Sequence, residues 1–289
     1  MSEKLSFAGQ VVLVTGSSRG LGNAFADCLA TAGATVIIND RQPSERGQAA
    51  CDAITAAGGK AVYLPGDVTD GAALVEATLA ACGRIDAIVH NAGIVQDKTL
   101  RKMSDTQWQQ VLDVHLGAAF KLARAAWPNF ENQGSGRLVF ISSASGLYGN
   151  FGQSNYAAAK AGMYGLCRTI ALEGEQLNIN CNCVAPFGAT EMNSGHMSAE
   201  MKAIIKTDYV APLVAYLCHP SCSESGSLFE ASAGAYKKVR WERNAGLQLD
   251  TRQGVSVDDI AANWTQLTAF DETEHPNEMR EALRGLWDR

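Results

Sequence analysis

Short apolar runs alternate along the first two thirds of the chain with longer, Ala-rich stretches. The runs are Val11–Val14, Thr35–Ile38, Lys60–Leu64, Ile85–His90, Arg137–Ser142 and Ile179–Val184. Each is too short for a helix and most are rich in Val and Ile, so each predicts a strand. Between them, Leu21–Ala32, Gln48–Ala57, Gly71–Cys82, Asp105–Trp127 and Tyr156–Glu173 read as helices. Gly33 and Gly58-Gly59 supply stops of the kind that need no Cβ. Strands without polar alternation are covered on both faces, which requires a parallel sheet flanked by helices. After about Pro186 the rhythm weakens. Residues 187–289 predict helices, one more strand near Gly226–Ser232 and a polar tail. No repeat or low-complexity linker interrupts the chain. Residues 1–289 are therefore expected to form one α/β domain, with 187–289 as a substrate-side region and C-terminal extension.

The first strand runs into Thr15-Gly16-Ser17-Ser18-Arg19-Gly20-Leu21-Gly22. Glycines between a strand and a helix allow a tight turn, close backbone approach to a ligand, and close helix–strand packing. The helix start then offers free N–H groups to a pyrophosphate. Gly16, Ser18, Arg19, Gly20 and Leu21 are expected to hold a dinucleotide in this way. Three glycines alone also suit a plain turn, but a carboxylate, Asp40, follows the second strand where a ribose hydroxyl would lie. This predicts a Rossmann-like doubly wound sheet. Asp40 favours NAD because a carboxylate repels a 2′-phosphate. Arg19 and Arg41 could instead pair with that phosphate, so NADP stays open.

Ser143, Tyr156 and Lys160 are the candidate catalytic residues. Tyr156 and Lys160 are four apart, on one helix face. An ammonium beside a phenol favours the phenolate and lowers the pKa. Ser143, from an independent strand end, can hold a substrate oxygen while Tyr156 exchanges its proton. Y-x-x-x-K alone is common on surface helices. Its place after a Ser-Ser strand end in a dinucleotide-binding sheet makes it specific.

These motifs, with Asn91-Ala92-Gly93 and the segment Asn182 to Pro186, resemble the short-chain dehydrogenase/reductase family over roughly residues 7–240. The resemblance implies that Asp67 and Val68 flank the adenine, and that Asn91 and Gly93 hold the sheet and line the nicotinamide ribose. It implies that Tyr156 and Lys160 also touch the cofactor, and that Pro186, Gly188 and Thr190 cover the nicotinamide. His115 stands where the family has an active-site Asn. Ser143–Gln153, Tyr209–Val214, Leu217-Cys218-His219 and Val239–Arg243 resemble the family's branch that oxidises (3R)-hydroxyacyl-CoA with NAD. Ser17-Ser18-Arg19 departs from the more Gly-rich turn of that branch. The resemblance further implies a freestanding version of that dehydrogenase. It also implies a homodimer or homotetramer through the helices Asp105–Trp127 and Tyr156–Glu173, whose small residues include Ala118, Ala119, Ala123, Ala157, Ala158, Ala161 and Gly165.

Composition narrows the remaining classes. The net charge of -6 gives no basic surface for nucleic acid. No apolar run is long enough to span a membrane, and Met1–Gln10 lacks the features of a signal peptide. Eight cysteines without C-x-x-C suit a reduced, cytoplasmic setting. Cys218, His219 and Cys222 read as a helix end before Pro220, and no metal is expected. Lys237, Lys238, Arg240 and Arg243 form a basic cluster that could meet CoA phosphates or simply make surface ion pairs. The alternatives are an NADPH-linked 3-oxoacyl-carrier-protein reductase, a hydroxysteroid dehydrogenase, and a non-catalytic dinucleotide sensor.

Overall fold

The computed structural model describes residues 4–188, 197–252 and 254–283. The chain divides into two compact units, Met1–Lys238 and Val239–Arg289. In the first, strands and helices alternate: β1 (Val11–Val14), α1 (Gly20–Thr31), β2 (Thr35–Ile38), α2 (Glu45–Ala56), β3 (Lys60–Tyr63), α3 (Gly71–Cys82) and β4 (Ala87–His90). Then come α4 (Asp105–Leu112), a turn of π-helix (Asp113–Gly117), α5 (Ala118–Gln133), β5 (Gly136–Ile141), α6 (Ala144–Tyr148), α7 (Ser154–Gly174) and β6 (Ile179–Pro186). The unit continues with α8 (Ala199–Ile204), α9 (Ala211–Cys218), β7 (Leu228–Ser232) and β8 (Ala235–Val239).

The sheet order is β3-β2-β1-β4-β5-β6-β7-β8, and the pairs from β3 to β7 are parallel. This is the expected doubly wound sheet. Side-chain alternation divides the buried residues between its faces. Val12, Val14, Val36, Ile38, Val89 and Val139 meet α1, α2 and α9 on one side. Leu13, Ile37, Ile88, Leu138 and Phe140 are fully buried on the other, where α3, α5 and α7 lie. Ala233 and Gly234 both have positive φ and turn β7 into β8, as a tight hairpin requires.

Local chemistry fixes the helix ends. Ser44 and Asp70 cap α2 and α3 by accepting from Gly47 N and Ala73 N. Ser104 and Gln107 form a reciprocal capping box on α4. The helix expected over Asp105–Trp127 departs from the pattern twice. It is interrupted by the π turn, and it continues past Pro128 to Gln133. Proline removes one helical hydrogen bond, but Phe130 beyond it is fully buried against Gly136, where a Cβ would lie 2.3 Å from the ring. Gly134, at φ 65°, ends the helix.

The second unit holds β9 (Arg243–Asn244) paired antiparallel with β10 (Thr273–Glu274), and short helices α10 (Val257–Ala262), α11 (Trp264–Thr268) and α12 (Met279–Ala282). Asn244 Nδ2 ties it together by donating to Leu267 O and Ala269 O.

Candidate active site

The strand order reverses at β1, which pairs with both β2 and β4. Ligands of such sheets bind outside the strands' carboxyl ends at this point. The turn after β1 is shaped by contacts that exclude side chains. Gly16 has φ 63°, and a Cβ on it would lie 2.9 Å from Ala92 Cα. A Cβ on Gly22 would lie 2.3 Å from Gly16 O. Asn91 Nδ2 donates to Thr15 O and Gly16 O at 3.1 and 3.0 Å, clamping the turn to the end of β4.

Asn39 and Ser17 hold the same turn from the other side, a role the sequence reading missed. Asn39 O accepts from Ser17 N, and Ser17 Oγ accepts from Asn39 N. Asn39 Oδ1 accepts from Gly16 N, while Nδ2 donates to Leu64 O and Gly66 O. Next to it, Asp40 accepts from Arg41 N and, at 2.9 Å, from Ser44 Oγ. Ser18 is nearly buried, Arg19 precedes the first residue of α1, and Leu21 packs on the core. Asp67 accepts from Thr69 N and Oγ1; these bonds hold its carboxyl below the usual range, helped by Arg41 and Lys121. Val68 is buried. A turn whose glycines at 16 and 22 exclude a Cβ, a helix start and a carboxylate just past β2 fit a dinucleotide.

Ser143, Tyr156 and Lys160 come together as expected from their spacing. Ser143 caps α6, accepting from Ser145 N at 3.2 Å, and also hydrogen-bonds the Tyr156 hydroxyl. Lys160 is 3% exposed; its Nζ donates to Ile141 O and lies 5.4 Å from the centre of the Tyr156 ring. Asn155, fully buried, fixes the start of α7 by donating to Gln96 O and Gln107 O. Gly146 lets α6 approach α7, since a Cβ there would sit 2.8 Å from Ala161 N. One expectation needs correction. The Tyr156 phenol is pushed up, not down, because burial outweighs the Ser143 hydrogen bond and Asp97 adds to the rise. Lys160 Nζ lies over the ring, and burial pulls Lys160 itself down to about 7.

His115 occupies the π turn. Its ring meets Tyr156 edge-on, with centres 5.2 Å apart at 89°. Gly93 makes room for it: a Cβ there would lie 2.2 Å from His115 Cε1. His90, beside Asn91, is fully buried and bonds both Thr15 and the His115 carbonyl. The sequence reading gave His90 and Asn155 no role, and Thr15 none beyond its place in the turn motif. Gln153 is a further omission, clasping the mouth by donating to Asp97 and accepting from Ser145 Oγ. Pro186 ends β6, and Gly188 lies within reach of Leu21 and Thr207. Thr190 lies outside the described residues.

Away from this site, His219 uses its ring nitrogens on Ser221 Oγ and Ser6 O, and no cluster of three metal-ligating residues occurs among the described residues. In the basic cluster, Lys238 pairs with Glu224 in the first unit and Arg243 with Glu274 in the second.

The family model for short chain dehydrogenases matches residues 10–201. The chain is 42% identical to peroxisomal multifunctional enzyme type 2 of Mus musculus, with 99% of this chain and 40% of that protein covered. It is 41% identical to the peroxisomal hydratase-dehydrogenase-epimerase of Neurospora crassa, over 96% of this chain and 32% of that one. The solved structure of full-length peroxisomal multifunctional enzyme type 2 from Drosophila melanogaster superimposes with a TM-score of 0.85 at 37% identity, covering 96% of this chain and 48% of that one. The chain thus spans less than half the length of these relatives.

Proposed function

The chain belongs to the short chain dehydrogenase family and is an oxidoreductase, and from that premise we propose that it oxidises a (3R)-hydroxyacyl-CoA at C3 with NAD. The observation that carries the reading is the assembly of Ser143, Tyr156 and Lys160 beside the turn after β1. NAD, when bound, supplies the hydride acceptor. Ser143 holds the substrate oxygen by hydrogen bond. Tyr156 takes the hydroxyl proton as the carbonyl forms, and returns one in the reverse direction. Lys160, held against the face of the Tyr156 ring, reaches a ribose hydroxyl. Asp40 selects NAD over NADP by accepting from the ribose 2′-OH.

The branch-specific segments support acyl-CoA chemistry, and so a place in lipid metabolism, and the name of the Neurospora crassa relative includes a dehydrogenase. No helix among the described residues is long and apolar enough to cross a membrane. All eight cysteines are free, which suits a reducing compartment such as the cytoplasm. The test is NADH formation from the (3R) and (3S) enantiomers of a medium-chain 3-hydroxyacyl-CoA and from 17β-hydroxysteroids, with NAD and NADP in parallel. The (3R) thioester with NAD should give the highest kcat/KM. A preference for (3S), for steroids or for NADP would overturn the corresponding part of the assignment.

A further inference from the structure

Thr15 Oγ1 accepts from two backbone groups, Asn91 N and Ala92 N, each at 3.0 Å. Its own proton must therefore go elsewhere, and His90 Nδ1 stands 3.1 Å away. This geometry favours one His90 tautomer. Nδ1 carries the lone pair that receives the Thr15 proton, so the ring proton sits on Nε2. Nε2 donates to the carbonyl of His115 at 3.0 Å, and the backbone of Val114, in the same π turn, is a further partner of the ring. The His115 ring is fixed in turn by Ile94. Its Nε2 lies 2.8 Å from Ile94 O and 3.2 Å from Ile94 N, and it can satisfy only one. The shorter contact is the donor bond to Ile94 O. His115 Nδ1 then carries an unshared pair and has no protein partner among the described residues.

The four residues close a ring. Thr15 directly follows β1, His90 ends β4, His115 occupies the π turn, and Ile94 lies two residues beyond Ala92, whose N–H binds Thr15. The ring touches the site at two points. Thr15 opens the turn clamped by Asn91, and His115 packs edge-on against Tyr156. Both imidazoles are buried, so neither is a ready proton donor. Their hydrogen-bond geometry is what they offer.

Resting on the dehydrogenase reading above, we propose that His90 is a positioning residue that joins the dinucleotide turn to the acid–base tyrosine through two separable hydrogen bonds. Its Nδ1 end, on Thr15, sets the shape of the turn. Its Nε2 end, on the His115 carbonyl, sets the π turn and with it the imidazole that abuts Tyr156.

Two substitutions separate the ends, because an Asn amide reaches about as far as Nδ1 and a Gln amide about as far as Nε2. His90→Asn keeps an acceptor for Thr15 and gives up the His115 carbonyl, so its loss should fall mainly on kcat. His90→Gln keeps the donor to the carbonyl and gives up Thr15, so its loss should fall mainly on NAD affinity. Each loss should be about three- to tenfold, the worth of one neutral hydrogen bond. NAD Kd is read by calorimetry without substrate, and kcat on the best alcohol of the panel described above. Equal effects of both variants on both quantities, or no effect on either, would overturn the proposal. Histidine 15N resonances of the wild-type protein at neutral pH provide a reading that needs no variant. His90 and His115 should both be neutral and protonated on Nε2, and a proton on His90 Nδ1 would sink the idea. If no panel alcohol is turned over, the substrate assignment fails, while calorimetry and the resonances still decide the role of His90.

Discussion

The ammonium of Lys160 is hydrogen-bonded to the carbonyl of Ile141 at 2.5 Å. The cation on α7 is thereby tied to the strand end that carries Ser143, two residues on. Ser142 Oγ reinforces the seam by donating to Lys160 O at 2.9 Å. These two bonds fix α7, which carries Tyr156 and Lys160, against the strand end that leads to Ser143. Tyr156→Phe should remove the proton-exchanging hydroxyl while leaving this seam and NAD binding intact. The expected loss in kcat is about 10²–10⁴-fold, with NAD Kd within a few fold. Steady-state kinetics and a cofactor titration check both halves. Lys160→Ala should damage both quantities, since it also leaves the Ile141 carbonyl unpaired.

Asp40 presents its carboxylate just past β2, braced by Ser44 Oγ. Asp40→Ala should raise kcat/KM with NADP and lower it with NAD. The same change removes a partner of the residue that caps α2, so a small fall in Tm should accompany it. Parallel kinetics with the two cofactors measure the switch. A wild-type preference for NADP would contradict the assigned role.

Gly93 has no room for a methyl group. Gly93→Ala would press against His115 Cε1, a ring held by Ile94 and packed on Tyr156. Overpacking of this kind costs about 1–3 kcal/mol. Because the displaced ring abuts the acid–base residue, kcat should fall with stability. Thermal melts and kinetics on the same preparation test whether the two losses occur together.

His90 makes stability depend on pH. Burial, with the Lys160 ammonium adding to it, lowers its pKa to about 4 from an ordinary 6.5. The folded state thus binds fewer protons than the unfolded state between those values. Its contribution is fully present above pH 6.5 and is lost as pH falls toward 4, about 3 kcal/mol in all. His115, lowered for the same reasons, acts in the same direction. Urea unfolding between pH 7 and 4 should show the decline, and His90→Gln should flatten part of it.

The dimer that the family resemblance implies rests on a smaller set of residues than the sequence offered. Ala118, Ala119 and Ala123 are buried within their own chain. Ala158, Ala161 and Gly165 on α7 stay exposed and lie along one side of the helix. Ala161→Arg should therefore convert a dimer into a particle of about 31 kDa by light scattering. A wild-type protein already of that size would contradict the dimer.

The strands and most helices were legible because apolar runs and Ala-rich stretches alternate so regularly. The turn after β1 was legible because Gly16 and Gly22 are required by backbone contacts, and Asp40 falls at a fixed distance beyond them. The π turn was not legible. Asp113–Gly117 carries mostly weak helix formers, but none of them specifies a π turn, and the ring of His115 that it places is packed on Tyr156 and held by Ile94. The extension past Pro128 was hidden because burial of Phe130 overrides a local penalty. His90 was hidden for a different reason. A histidine ending an apolar strand reads as core, and only the two backbone donors on Thr15 reveal that its proton position is fixed.

The pairing of β1 with β4 also constrains how the chain comes into being. Thr15 and His90 are 75 residues apart, and everything between them must leave the ribosome before the two can meet. Until then β1 has β2 on one side and nothing on the other. A bare edge of Val11-Val12-Leu13-Val14 is an invitation to pair with another unfinished chain. Such distant contacts also slow folding, since the loop must close before they contribute. The cofactor turn is thus a late product of synthesis. A nascent chain stalled before residue 90 has made its most apolar strands without the partner that covers them, and is the stage at which a chaperone has most to protect.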